Sequence, residues 1–226
     1  MNRLTLPQRL MLVVGLALLL ALMGASLFQS VRVGWADANS LGARWLVSEW
    51  RESRGPGFTP ERWQQARDVL TSTLSITPDN PQLYDDLGFL HASRAQLLGY
   101  GEPGSPLRIY QEKLLEESIV HYRQATVLRP TFPFSWAYLA MAKDLRGQDD
   151  AELWLAFDKA LRFGYTESAV RIVLTHIACA HWDELSPQRK QGIIHMVEVA
   201  PLKARGKLLD IGYDKGIVLV PRLRAG

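Results

Sequence analysis

Ala66-Arg-Asp-Val-Leu70-Thr-Ser-Thr73-Leu-Ser-Ile-Thr-Pro78-Asp-Asn-Pro-Gln-Leu-Tyr84-Asp-Asp-Leu87-Gly88 sets a pattern that returns 52 residues later. Ala66, Leu70, Thr73, Pro78, Tyr84, Leu87 and Gly88 are answered by Ser118, Tyr122, Ala125, Pro130, Trp136, Leu139 and Ala140. Small positions stay small, aromatic meets aromatic, and proline meets proline. Each copy describes one object. A small, a large and a small residue at intervals of four and three share a helix face and admit a close neighbour. The proline ends that helix by biasing the residue before it away from αR. The next helix opens on an aromatic, with Leu and a small residue three and four positions on.

Working outward, the helix from about Pro81 runs to Leu98, and Gly99-Tyr-Gly-Glu-Pro-Gly-Ser-Pro106 reads as an exposed loop. Its partner helix runs from about Leu107 to Leu128. A looser third unit starts at Trp136, Leu139 and Ala140 and turns at Gly147-Gln-Asp-Asp150. Phe157 and Ala160 then lie 35 residues after Tyr122 and Ala125, with Gly164-Tyr165 where proline is expected. A fourth pair covers about Glu167–Glu184 and Pro187–Val199, with Ser186 as N-cap and Pro187 in the first turn. Lys203–Lys215 reads as a short helix, and Ile217-Val-Leu-Val220 is the single strand-like run.

These residues resemble the tetratricopeptide repeat, with its period of 34 lengthened here by an 18-residue insertion. The resemblance covers roughly residues 59–165. It implies an all-α fold, a solenoid of helix hairpins, with a concave groove lined by the first helix of each pair. Mapped onto this chain, the groove falls to Gln82, Asp85, Phe89, Ala92 and Ser93, then to Phe134, Ala137, Met141, Asp144 and Leu145. Phe89, Phe134 and Met141 would anchor an extended or helical segment of a protein partner. In the competing reading, the long inserted helices or the C-terminal tail fill that groove.

Ahead of the repeat, Leu10 to Phe28 is nineteen residues without a charge, bracketed by Arg9 and Arg32. At about 1.5 Å per residue this nearly matches the roughly 30 Å hydrocarbon core of a bilayer. A cleaved signal peptide is the other reading, but Gly24-Ala25-Ser26 is a poor cleavage site and the apolar run continues past it. Ala17, Ala21 and Ala25 share a face and suit close packing of membrane helices; filler in a Leu/Ala-rich anchor is the plainer reading. Flanking basic residues nearly tie, Arg3 and Arg9 against Arg32 and Arg44, so they leave topology open. A short basic head before a first anchor is expected to stay inside, which puts the main domain in the periplasm of a bacterium.

The chain thus divides into a cytoplasmic head (1–9), a transmembrane anchor (10–29), a juxtamembrane helix (30–56), the repeat domain (57–200, insertion near 94–111) and a tail (201–226). Trp35, Trp45 and Trp50 suit the membrane interface or a cap on the first repeat, and Gly55-Pro-Gly57 breaks the juxtamembrane helix.

Chemistry is sparse. Net charge is +3 overall, two units of it from Arg3 and Arg9, which gives no electrostatic footprint for nucleic acid. Cys179 is alone, so no internal disulfide forms, and no cysteine follows the anchor to take a lipid. His176 and His181 point about 140° apart on a helix, unlike zinc-binding pairs; His91 and His121 fall on helices expected to pack together, and His195 stands apart. Asp85-Asp86 suits a helix N-terminus and Asp149-Asp150 a turn. Neither pair has the convergent geometry of two catalytic carboxylates. No nucleophile elbow, P-loop, dinucleotide fingerprint or zincin motif occurs. Trp63, Trp136 and Trp154 fit helix packing better than sugar stacking.

The expectation is therefore a single-pass inner-membrane scaffold with no catalysis, no cofactor and no metal, binding protein partners in the envelope; its oligomeric state is not legible. Its size and layout are similar to small accessory proteins of bacterial exopolysaccharide synthesis and export. The alternatives are an assembly factor for secretion, pili or cytochrome maturation, and, in a different class, a periplasmic enzyme acting on envelope polysaccharide.

Overall fold

One 48-residue helix, α1 (Leu6–Ser53), has two unlike halves in the computed structural model, which describes residues 6–53, 57–99 and 101–219. No proline interrupts it after Pro7, so the backbone ladder runs unbroken for about 72 Å. Over Leu10–Phe28 every residue is exposed and no other described residue covers it. This is the one helix among the described residues long and apolar enough to cross a membrane. From Ala36 onward the same helix turns polar on one side and buries Ala36, Ser40, Ala43, Val47 and Trp50 on another. Arg3, Gly55, Pro56, Tyr100 and the segment from Val220 onward lie outside the described residues.

Eight shorter helices follow: α2 (Pro60–Ile76), α3 (Pro81–Leu97), α4 (Pro106–Leu128), α5 (Pro133–Arg146), α6 (Ala151–Gly164), α7 (Ser168–Ala180), α8 (Pro187–Glu198) and α9 (Leu202–Asp214). Local chemistry explains most boundaries. Five of them begin on a proline, which needs no N–H partner at that position. Thr59, Asn80, Ser105, Asp150 and Ser186 accept hydrogen bonds from first-turn N–H groups. Gly147 ends α5 in the left-handed region at φ 73°, with Gln148 N–H bonded back to the Lys143 carbonyl. The described residues hold no strand. The strand-like 217–219 instead closes α9: Gly216 is left-handed at φ 72°, and Ile217 N–H donates to the Gly212 carbonyl. Leu219 then packs against Gly212.

The turns repeat as the sequence does. The caps of α2 and α4, Thr77 and Arg129, share dihedrals (φ −126°, ψ 69° and φ −133°, ψ 74°). Tyr84 Oη donates to the Pro78 carbonyl at 3.0 Å, and 52 residues on Trp136 Nε1 donates to the Pro130 carbonyl at 2.8 Å. Asn80, Phe132 and Glu167, each the residue before a helix, donate N–H to the carbonyls of Thr77, Arg129 and Gly164. The third of these turns lies 35 residues after the second and uses Gly164 because Pro133 presses on it: a Cβ there would stand 2.4 Å from Pro133 Cβ.

Among the described residues, helices touch only partners one or two places away in chain order: each its neighbour, and α1–α3, α3–α5, α5–α7, α7–α9 and α6–α8 besides. Two cores result. One joins α1 to α4 around Trp50, Trp63, Leu70, Leu87 and Leu114. The other joins α4 to α9 around Tyr122, Leu139, Phe157, Leu174 and Met196. The motif residues sit at their contacts. Ser118 Oγ donates to the Gly88 carbonyl at 2.8 Å, and the Tyr122 ring lies against Gly88. The Tyr122 side chain is fully buried and its hydroxyl has no hydrogen-bond partner. Tyr122→Phe removes that unsatisfied group without changing shape, so stability should rise by about 1 kcal/mol, read as a higher urea midpoint.

Candidate functional site

The expected groove residues divide into a buried set and a half-open set. Asp85, Ala92 and Ala137 are buried, whereas Gln82, Phe89, Ser93, Phe134, Met141, Asp144 and Leu145 are half-buried. Asp85, Ala92 and Ala137 therefore depart from the expectation of an open lining. Ala137 is small and fills a contact in the second core. Asp85 is drawn into the α3–α5 seam by charge. It accepts from Ser135 Oγ at 2.7 Å and pairs with Arg129, while Arg51 Nη2 donates to its backbone carbonyl at 2.9 Å.

Asp86 beside it is equally buried. Arg51 lies 3.1 Å away and Arg44 3.9 Å, and Gln82 Nε2 donates to it at 3.0 Å. Burial pushes both carboxyls above the ordinary aspartate value, against the pull of these partners. The Arg51 guanidinium also sits 4.9 Å over the Phe89 ring. The end of α1 thus roofs the α3 part of the face. From sequence the Asp85-Asp86 pair suits a helix N-terminus, and nothing near it in the chain points to Arg51 or Arg129. No local pattern joins residues 34 and 44 positions apart.

At the α5 part, Phe134 and Met141 pack on the second core with part of each side chain open. Asp144 Oδ1 stands 2.7 Å from His181 Nε2, which ties this end of α5 to the end of α7. Elsewhere on α5 and α6, Glu152 accepts from Arg123 Nε and Nη2 (2.6 and 2.8 Å) and from Lys143 Nζ (2.8 Å). The Arg123 hydrogen bonds come first in holding the Glu152 carboxyl down at about 2. Burial works to lower the Lys143 ammonium, and its contacts with Glu152 and Asp150 outweigh that and raise it.

His91 and His121 do meet, stacked with ring centroids 5.4 Å apart and 20° between planes. Glu117 Oε2 lies 2.9 Å from His91 Nδ1 but out of line for a hydrogen bond. Burial, helped by the other ring's charge, pushes His91 down to about 3, and burial pushes His121 to about 4. Both folded values lie below the unfolded value near 6.5, so the unfolded chain binds more protons. The stability tied to these rings is complete above about pH 6.5 and is lost as pH falls toward 4. From pH 7.5 to 5 the expected loss is roughly 2–4 kcal/mol. Asp85, Asp86 and His181 have raised values and act in the opposite direction. The check is therefore the difference in urea midpoints between the native chain and a His91→Gln, His121→Gln variant, which should be much less acid-sensitive.

A cation-sized cluster exists at the α5–α7 end. Ligand atoms of Asp149, His181 and Glu184 lie within 4.8 Å of one another. Ion pairing accounts for it: burial lowers the His181 imidazole, and the hydrogen bond and charge of Asp144, with the Asp149 charge, carry it above its ordinary value. A cation bound there would compete with the proton for this ring. Cys179 is buried, and burial pushes its thiol up, away from nucleophilic character.

Of the expected groove positions, Gln82, Phe89, Ser93, Phe134, Met141, Asp144 and Leu145 thus stay partly open, beside the ion pairs of Asp85, Asp86 and Asp144. Compared with known proteins, the chain matches no family model and no curated protein.

Proposed function

We propose that this protein is a membrane-tethered scaffold without catalysis of its own, built as a tetratricopeptide-like stack in which α1 is both anchor and first helix. In this reading α1/α2, α3/α4, α5/α6 and α7/α8 are successive hairpins and α9 is the terminal cap. The observation that carries it is the turn recurring at Thr77–Asn80, Arg129–Phe132 and Gly164–Glu167 with the same backbone hydrogen bond. Nearest-neighbour packing supports it too. Odd-numbered helices touch along the whole row and even-numbered ones only at α6–α8, the contact pattern of a row curving with the odd helices inside. The inner strip then presents Phe89, Phe134 and Met141 to protein partners.

The tether places that strip beside the bilayer, on the periplasmic side of a bacterial inner membrane. The partners are components of an envelope machine, with exopolysaccharide synthesis and export the best match for the layout. Photo-crosslinking residues placed at Phe134 and Met141 in intact cells test the face, with Val120 and Val127, exposed on α4, as controls. The scaffold reading expects one discrete protein adduct from the α5 positions and none from α4. Equal labelling from all four positions, or none from any, would refute it. A reporter fused after Gly226 tests the compartment, since activity of a cytoplasm-only reporter there would reverse the orientation.

A further inference from the structure

Beyond Phe28, α1 carries two apolar faces, and its own domain uses one. Ala36, Ser40, Ala43, Val47 and Trp50 are buried against α2 and α3. About 140° round the axis lie Val31, Trp35, Ala38, Gly42 and Trp45, spaced four, three, four and three. All five are exposed, the two indoles and the valine at 69%, 65% and 63%. The spacing is the heptad seam of a two-stranded coil. Extended back, it passes through Phe28 and then Gly24, Ala21 and Ala17 inside the apolar span, three small residues that admit close approach.

Lipid does not cover the far end of this face. Trp45 lies seventeen residues beyond Phe28, about 25 Å along the helix. The headgroup layer adds only roughly 5–7 Å on each side of the hydrocarbon. The nineteen-residue span already fits that core, so no steep tilt brings Trp45 down to it.

We infer that the occupant is a second copy of this chain, joined as a parallel dimer along the outer seam of α1. The inference rests on α1 staying in the membrane, because a single-pass anchor sets every copy at one depth and direction. Identical residues then meet in register, and from Val31 to Trp45 pairing like with like sets no like charges together; the next seam position is Glu49, which ends the apolar contact. The three charges of this stretch are engaged off the seam: Arg32 donates to the Ile76 carbonyl at 2.8 Å, and Asp37 pairs with Arg44 at 2.7 Å. Gly42 and Ala38 leave room for the partner's indoles. The four indoles alone withdraw roughly 500 Å² from water, a good part of the 1,200–2,000 Å² of a stable interface. The seam inside the bilayer continues it. A dimer leaves the inner strip of each stack free, so one anchored unit would present two docking faces.

The test uses the full chain in isolated membranes, in a Cys179→Ala background, with single cysteines from Ala38→Cys, Gly42→Cys or Asp37→Cys and copper-phenanthroline as oxidant. The dimer predicts a species of twice the chain mass from positions 38 and 42, at least tenfold weaker from position 37. Adding Trp45→Glu to Ala38→Cys should cut the cross-link about tenfold. Equal cross-linking at position 37, an adduct with a different protein, or no doubled species from a chain that alkaline washing leaves in the membrane would each overturn the dimer alone. A chain that alkali releases would instead overturn the anchor, and the parallel seam with it.

Discussion

Gly88→Val should destabilise the domain by about 3 kcal/mol or more, the sharp end of what overpacking costs. A Cβ at this position would stand 2.8–2.9 Å from three ring atoms of Tyr122. That ring has no room to retreat, since it is fully buried and stacks on Tyr138 with centroids 5.8 Å apart. The added methyls therefore push α3 from α4 along their contact and strain the Ser118 to Gly88 hydrogen bond. Gly88→Ala makes the same clash with one carbon, offset by about 1 kcal/mol of better helix propensity, so its net cost is smaller. A Gly88→Ala, Tyr122→Leu double variant should lose less than the two single changes together, because the smaller side chain vacates the space. Urea midpoints of the four proteins provide the check. If Gly88→Val is neutral, the two helices do not nest through the repeated small position.

Asp85→Ala carries the second large effect, about 3 kcal/mol. Removing one member of a buried pair strands the other, and that stranding commonly costs 3–5 kcal/mol. The lower figure applies here because the Arg129 side chain keeps 28% of its exposure and finds some water. Three elements lose a tie at once: Arg129 at the end of α4, Ser135 on α5, and α3 itself. Arg51 keeps its bond to the residue 85 carbonyl and its pair with Asp86, so the α1 roof stays in place. Asp85→Ala combined with Arg129→Met should recover part of the loss, because no charge is then left buried alone. A double-mutant cycle on denaturation midpoints measures that coupling. Additive losses would mean that Asp85 and Arg129 do not act as a pair.

These two residues also mark how far the sequence could be read. Gly88 was legible because its role is local and periodic: a small residue recurs 52 positions on, and both positions follow a proline and an aromatic. Helix starts were legible for the same reason, since Thr59-Pro60 and Ser186-Pro187 carry cap and first turn in adjacent residues. Asp85 was not. Its partners come from residues 51, 129 and 135, which only the packed helices bring together. Similarly, Phe89 read as an open anchor because nothing local announces that Arg51 will lie over it. The 217–220 run reads as strand-like but too short for a sheet of its own; its described part, 217–219, turns back on α9 through Gly216 and the Gly212 carbonyl. Of the three juxtamembrane tryptophans, Trp50 does cap the first core, while Trp35 and Trp45 face outward.

The account rests on one helix serving at once as membrane tether and first member of the stack. The intact mass of the chain recovered from alkali-washed membranes tests this most directly. The full 25.5 kDa protein in the pellet is the result that a retained anchor predicts. A shorter protein beginning near Ser26, found in the soluble fraction, would contradict it, since the stack would then float free of the bilayer.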